Sequence, residues 1–225
     1  MFIEISYPIT TDIPVFPGNP DEEFIPYMRI RKGEICNSTM VHHFLHTGTH
    51  VDVPFHFDDQ GKTIDQIPVE DFCYTKSLVI QKMVPKGGFI QLEDLKAYGP
   101  SLYEADILLI CTGYYSLRND RNVYMDDFPS LSVEAARLIR EELLNVKAIA
   151  IDSLSVENCK LCPQQDYIIH KTLLASNTYT SRPVLIFEDV NIGAILERKI
   201  IRILAFPVRL VGLEAAPIPI VAEVL

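Results

Sequence analysis

The chain has 225 residues, 48% of them apolar, and its 30 acidic and 20 basic side chains give a net charge of −10. That length and apolar share suit a packed globular protein and exclude a disordered one. The charge argues against nucleic acid as a partner, because phosphate contacts need a basic face.

The opening Met1-Phe2-Ile3-Glu4 lacks the basic and apolar regions of a signal peptide, so a cytoplasmic location is expected. Residues 2–6 alternate like a strand, and 8–20 read as a proline-rich loop. Residues 24–31 and 38–45 look like two strands joined by a turn at Lys32-Gly33. Residues 77–84 and 106–111 are further strands, the second apolar enough to be buried on both faces. The stretch 132–144 reads as a helix with Ser132 as N-cap and Glu134 in its first turn. A short strand over 147–151 ends at Asp152, a second helix covers 166–176, and 184–188 is another strand. The stretch 199–225, rich in Ile, Val and Pro, suggests strands with bends. No apolar run approaches the roughly 20 residues of a membrane span. With no repeat and no linker, one mixed α/β domain over 1–225, with more strand than helix, is expected. Five scattered cysteines suit a reducing compartment; Cys159-Lys-Leu-Cys162 has redox or metal spacing, but no second pair follows it, and a plain loop is the preferred reading.

Five of the six histidines fall between His42 and His56. Three of them share one run with a carboxylate: His46-Thr-Gly-Thr-His50-Val-Asp52-Val-Pro-Phe-His56. Imidazole and carboxylate together form a ligand set for zinc or manganese, and an open metal position makes a nucleophile from water. A helix would aim Asp52 roughly 200° away from His50, and Gly48, Val51, Val53 and Pro54 all disfavour one. In an extended segment residues 50, 52 and 56 share one side, while Val51, Val53 and Phe55 face the core. His50 and Asp52 then lie about 6.6 Å apart along the chain and can converge on one ion. Gly48 permits a turn that brings His46 to it. Pro54 ends regular pairing, which sets His56 apart from the ion, where a proton-transfer group is wanted. His42 and His43 read as ordinary strand residues.

An aspartate between two histidines can bridge two ions through its two oxygens. His170 is the one histidine outside the cluster, yet a lone His among apolar neighbours is more often core or surface. Glu188 and Asp152 each end an apolar strand, a frequent site position and an equally frequent solvated terminus.

The run from His46 to His56 matches H-x-G-T-H-x-D-x-P-x-H and resembles the cyclase family that includes bacterial kynurenine formamidases. Phe16-Pro-Gly-Asn-Pro, Leu109-Ile-Cys-Thr-Gly-Tyr, Leu131-Ser-Val-Glu-Ala-Ala, Ile151-Asp-Ser-Leu-Ser, Leu185-Ile-Phe-Glu-Asp-Val and Ala205-Phe-Pro-Val-Arg-Leu follow in the family's order. The resemblance implies a swivelling β/β/α domain with a mixed sheet core, a homodimer or higher, and two divalent ions, zinc with manganese as the alternative. It assigns His46 and His50 to one ion, Asp52 to both, His170 and Glu188 to the second, and general acid/base work to His56. It also puts Phe16 against the substrate, where the formamidases carry tryptophan. Asp-Val follows Glu188 where the family usually has Asn-Leu, and the segment between His170 and Glu188 is longer than usual.

The leading expectation is therefore hydrolysis of a small amide, most simply an arylformamide of the N-formyl-kynurenine type. A cyclic amide or lactone hydrolase of the isatin hydrolase kind is the alternative. Phe16 and Tyr114 are aromatic candidates for the pocket wall, Tyr114 equally for the core. A non-catalytic metal site would be closed by four protein ligands, and a spare His56 speaks against it.

Overall fold

Alternating apolar runs become fourteen strands in the computed structural model, which describes residues 1–225. In chain order these are β1 (Phe2–Glu4), β2 (Glu23–Met28), β3 (Ser38–His42), β4 (His50–Asp52), β5 (Cys73–Tyr74), β6 (Ser77–Gln81) and β7 (Phe89–Ile90). They continue with β8 (Ile107–Cys111), β9 (Ser130–Leu131), β10 (Ala148–Ile151), β11 (Leu185–Glu188), β12 (Ile200–Ala205), β13 (Ala215–Pro217) and β14 (Ile220–Val224). The five α-helices are α1 (Leu92–Lys96), α2 (Pro100–Glu104), α3 (Arg121–Tyr124), α4 (Val133–Glu141) and α5 (Ile168–Leu174).

A six-stranded mixed sheet, ordered β13-β4-β11-β10-β8-β6, forms the middle of the molecule. Its strands β6, β8, β10 and β11 run parallel, and β4 enters antiparallel between β11 and β13. Strand β8 is buried along its whole length, and its alternation divides two cores. Ile107, Leu109 and Cys111 pack with Ile203, Ala205, Ile220 and Ala222 of the antiparallel sheet β1-β14-β12-β5. Leu108 and Ile110 face Ala135, Leu138 and Ile139 of α4 and Ile169 and Leu173 of α5. The result is the three-layered β/β/α arrangement that the sequence resemblance implies.

Ser132 caps α4 as expected, its hydroxyl accepting from the Ala135 amide at 3.1 Å. Helix α5 is shorter than the expected 166–176. Asp166 and Tyr167 sit at φ 54° and 53°, left-handed values that a helix cannot contain, so it begins at Ile168. Strands β2 and β3 pair as an antiparallel hairpin, but a single 3-10 turn at Ile30–Lys32 and left-handed Gly33 widen its tip. The largest departure lies in the histidine run. Regular extension stops at Asp52, and Pro54–His56 form a 3-10 turn with Pro54 in its first position, where its missing amide donor is no loss. His56 reaches the site through that turn and not through strand parity.

Candidate metal centre

Strand β4 is buried throughout, and its pleat turns His50 and Asp52 to one side while Val51 joins the core. Register places Glu188 of β11 opposite His50, so two candidate ligands become neighbours by strand pairing alone. The preceding loop turns at Gly48, whose φ is 70° and whose missing Cβ leaves room for Ile13 Cδ1, 2.6 Å from where that atom would stand. Thr49 fastens the loop: its hydroxyl donates to the Asp189 carbonyl at 2.6 Å and accepts from the Tyr7 amide at 2.9 Å. This turn returns His46 to Asp52. His170 arrives from the first turn of α5, far away in sequence.

All five residues assigned to metal binding converge. Asp52 Oδ1 lies 2.8 Å from His46 Nδ1 and 3.3 Å from His50 Nε2, while Oδ2 lies 3.9 Å from His170 Nε2. Glu188 spans the same gap, with Oε2 3.5 Å from His50 Nε2 and Oε1 3.4 Å from His170 Nε2. The donors fall into two sets, His46-His50-Asp52 and Asp52-His170-Glu188, whose ligand atoms each lie within 4.8 Å of one another. His50 Nε2 and Asp52 Oδ2 are buried with no hydrogen-bond partner. Polar atoms are rarely left so, and a divalent cation fits these nitrogen and oxygen donors.

Each histidine of the two sets is oriented from behind. His50 Nδ1 faces the Gly48 carbonyl at 2.9 Å, His170 Nδ1 faces Glu157 Oε2 at 2.8 Å, and His46 Nε2 lies 3.4 Å from Glu214. Glu188 Oε1 accepts from the Ser155 hydroxyl at 2.7 Å and the Val156 amide at 2.8 Å. Such outer partners fix tautomer and ring angle. Sequence reading missed Glu157, Glu214 and Ser155, because their relation to the motif exists only in space.

Burial disfavours charge on His50, yet the Asp52 and Glu188 carboxylates outweigh it and raise its pKa to about 9. His170 is raised to about 10, burial again being overcome by hydrogen bonds to Glu157 and Glu188. Burial also works against ionised Asp52, but His46 and His50 hold its carboxyl well below the usual range. His56 differs. Its ring stacks on His46 at 4.0 Å and lies 6.0 Å from His170. Burial, reinforced by repulsion from those two rings, lowers it to about 4 despite the pull of Asp52. It is a neutral imidazole beside the ligand sets.

A cleft of about 260 Å³ opens over this centre, with His46, Asp52, His56, His170 and Glu188 on its floor. Phe16 lines it, as the resemblance implies, together with Phe44, Phe57 and Tyr167. Tyr114 does not; it is core, stacked on Tyr124 at 5.4 Å. Asp152 is no site residue either, since it is buried and accepts from the Thr112 amide and hydroxyl and the Gly113 amide. His42 and His43 pair with Glu23 and Glu22 at the base of the hairpin. Cys159 and Cys162 are free thiols, and Cys162 joins the cleft wall.

The sequence model of the family described as "Putative cyclase" matches residues 3–158. The chain belongs to the cyclase family. It is 24% identical over 218 residues to a kynurenine formamidase of Bacillus mycoides, covering 96% of this chain and 94% of that one. A kynurenine formamidase of Geobacillus thermodenitrificans is 28% identical over 158 residues, 69% of this chain and 70% of the relative. Among solved structures, isatin hydrolase A from Ralstonia solanacearum superposes with a TM-score of 0.82 at 16% identity, covering 99% of this chain and 91% of that one. For this cyclase-family member, that likeness carries the fold.

Proposed function

We propose that this cyclase-family protein is a metal-dependent hydrolase of small amides that holds two divalent ions, zinc in preference to manganese, and cleaves an arylformamide of the N-formyl-kynurenine type. The observation that carries the reading is the division of Asp52, one oxygen toward His46 and His50 and the other toward His170. Likeness to kynurenine formamidases along nearly the whole chain supports the reaction type. Divalent ions bound by such donors supply Lewis acidity and lower the pKa of water.

The chain's own residues do the rest. His56, neutral at pH 7 and outside both donor sets, takes a proton from the attacking water. As the water oxygen bonds to the carbonyl carbon and the C–N bond breaks, the same imidazole delivers that proton to the departing nitrogen. Glu157 and Glu214 hold the rings of His170 and His46, and Phe16 and Phe57 provide apolar wall for the aryl group. A second reading, hydrolysis of a cyclic amide or lactone, is favoured by Phe16 in place of tryptophan and by the shared fold with an isatin hydrolase.

Exposed apolar side chains on the β2–β3 hairpin, Phe24 and Val41 across from one another and Met40 on the opposite face, support a homodimer through that arm. The mass of the protein in solution tests this. Five free cysteines support a reducing location such as the cytoplasm, and no helix is long and apolar enough to cross a membrane.

The deciding experiment is hydrolysis of N-formyl-kynurenine and of isatin by protein reloaded with Zn²⁺ or Mn²⁺, beside a metal-stripped control. Metal-dependent turnover of the formamide establishes the first reading, and turnover of isatin alone establishes the second. Full metal occupancy with neither activity overturns both.

A further inference from the structure

We infer that the cleft selects substrates whose non-reacting part carries no charge, a flat neutral aryl amide in preference to one bearing a free amino-acid group. This rests on the hydrolase reading and narrows its substrate class. The wall above the metal centre is made by Phe16, Phe44, Phe57, Leu154, Cys162 and Tyr167, and no lysine or arginine lines it. Cations on the segments that build the wall are engaged elsewhere. Lys160 Nζ lies 2.6 Å from Asp126, and Lys171 Nζ lies 2.7 Å from Asp166. The Ser155 hydroxyl is used by Glu188. Asn19 and the Tyr167 phenol, both neutral, are the other polar side chains on the wall.

Away from the metal centre on the floor, a substrate carboxylate against this wall meets no cation and an ammonium meets no carboxylate. Enclosing either one unpaired is costly. A flat ring fares differently. Phe57 lies 4.4 Å from the His56 ring and 5.6 Å from the Tyr167 ring, which makes an aromatic platform beside the reacting centre. The cleft volume of about 260 Å³ lies at the small end for ligand sites, room for one compact ring system beside the scissile bond.

Two pairs of compounds that differ only in the amino-acid tail test this. Calorimetric titration of the metal-loaded full-length chain with kynurenine and with 2-aminoacetophenone, neither of which holds a bond to hydrolyse, reads the wall without chemistry. The neutral ketone is expected to bind about ten-fold more tightly or better, the scale of one unpaired charged group. In metal-loaded protein, 2-formamidoacetophenone is expected to exceed N-formyl-kynurenine in kcat/KM by a similar factor. Asn19→Arg adds a cation to the wall and is expected to narrow both gaps. Equal or tighter binding of kynurenine, or a gap unmoved by Asn19→Arg, overturns the inference. Absence of turnover with both formamides, while the binding preference holds, instead strikes the formamidase reading and leaves the charge selectivity standing.

Discussion

Glu157 grips His170 at two points and its neighbour at a third: Oε2 lies 2.8 Å from the ring Nδ1 and 3.3 Å from the His170 amide, and Oε1 accepts from the Ile169 amide at 3.4 Å. One carboxylate therefore starts helix α5 and sets the ring angle of its histidine. Glu157→Gln keeps the shape and loses the charge. Metal affinity or activity is expected to fall about 10–100-fold, the usual range for an outer-shell partner. Titration of the stripped protein with Zn²⁺ measures it, and an unchanged Kd would show that His170 needs no such partner.

His56 stacks on His46 but belongs to neither donor set. In His56→Ala, metal content is expected to stay at the wild-type value while kcat falls about 10²–10⁴-fold, the range for loss of a general acid/base. Metal analysis and steady-state rates on the same sample separate the two effects. Loss of bound metal in this variant would move His56 among the ligands.

Much of this centre was legible in the run from His46 to His56. The parity of 50 and 52 holds because β4 is a real strand, and Gly48 has the left-handed φ that the turn required. His56 does stand beside the donor sets, but it gets there through a turn that Pro54 starts where continued extension was expected. His170 and Glu188 had no readable spacing to the motif. Their approach follows from the register of β11 on β4 and from where α5 lands, and the family pattern alone pointed to them. Glu157, Glu214 and Ser155 were invisible, because contacts between segments 13 or more residues apart leave no periodic trace. Helices as short as α1, α2 and α3, with four or five residues each, likewise complete little more than one turn, too little to show a period.

Proton release on metal binding follows from the charge at the centre. His50 and His170 are raised above the ordinary histidine value to about 9 and about 10, so metal-free protein keeps both protons at pH 7. Ligation needs neutral imidazole, and about two protons are expected to leave on metal binding at pH 7. That number falls as pH rises through 9 and 10, so apparent affinity climbs with pH up to that window. For the metal-free fold the sign is opposite: protonation of the two rings stabilises it fully below the unfolded value near 6.5, and this contribution is lost through the same window. Calorimetry in two buffers of different ionisation enthalpy counts the protons, and none released at pH 7 would contradict the raised values.

Behind the metal loop, Arg118 forks onto Asp189, with Nε at 2.8 Å and Nη2 at 2.6 Å, and Tyr124 donates to the same carboxylate at 2.8 Å. The guanidinium also lies 3.7 Å over the Tyr7 ring. Asp189 is wholly buried at φ 53°, follows Glu188, and offers its carbonyl to Thr49 in the histidine loop. Arg118→Met leaves this carboxylate enclosed with one hydroxyl partner, so stability is expected to fall by about 3–5 kcal/mol, as when one half of a buried pair is removed. Adding Asp189→Asn removes the stranded charge and is expected to restore most of that loss, because the two sites share one interaction. Denaturant midpoints of the two single variants and the double variant measure the coupling. Additive losses would mean that the fork is replaceable packing, whereas strong coupling together with weakened metal binding in Arg118→Met would show that this ion pair holds Thr49 and Glu188 where the centre needs them.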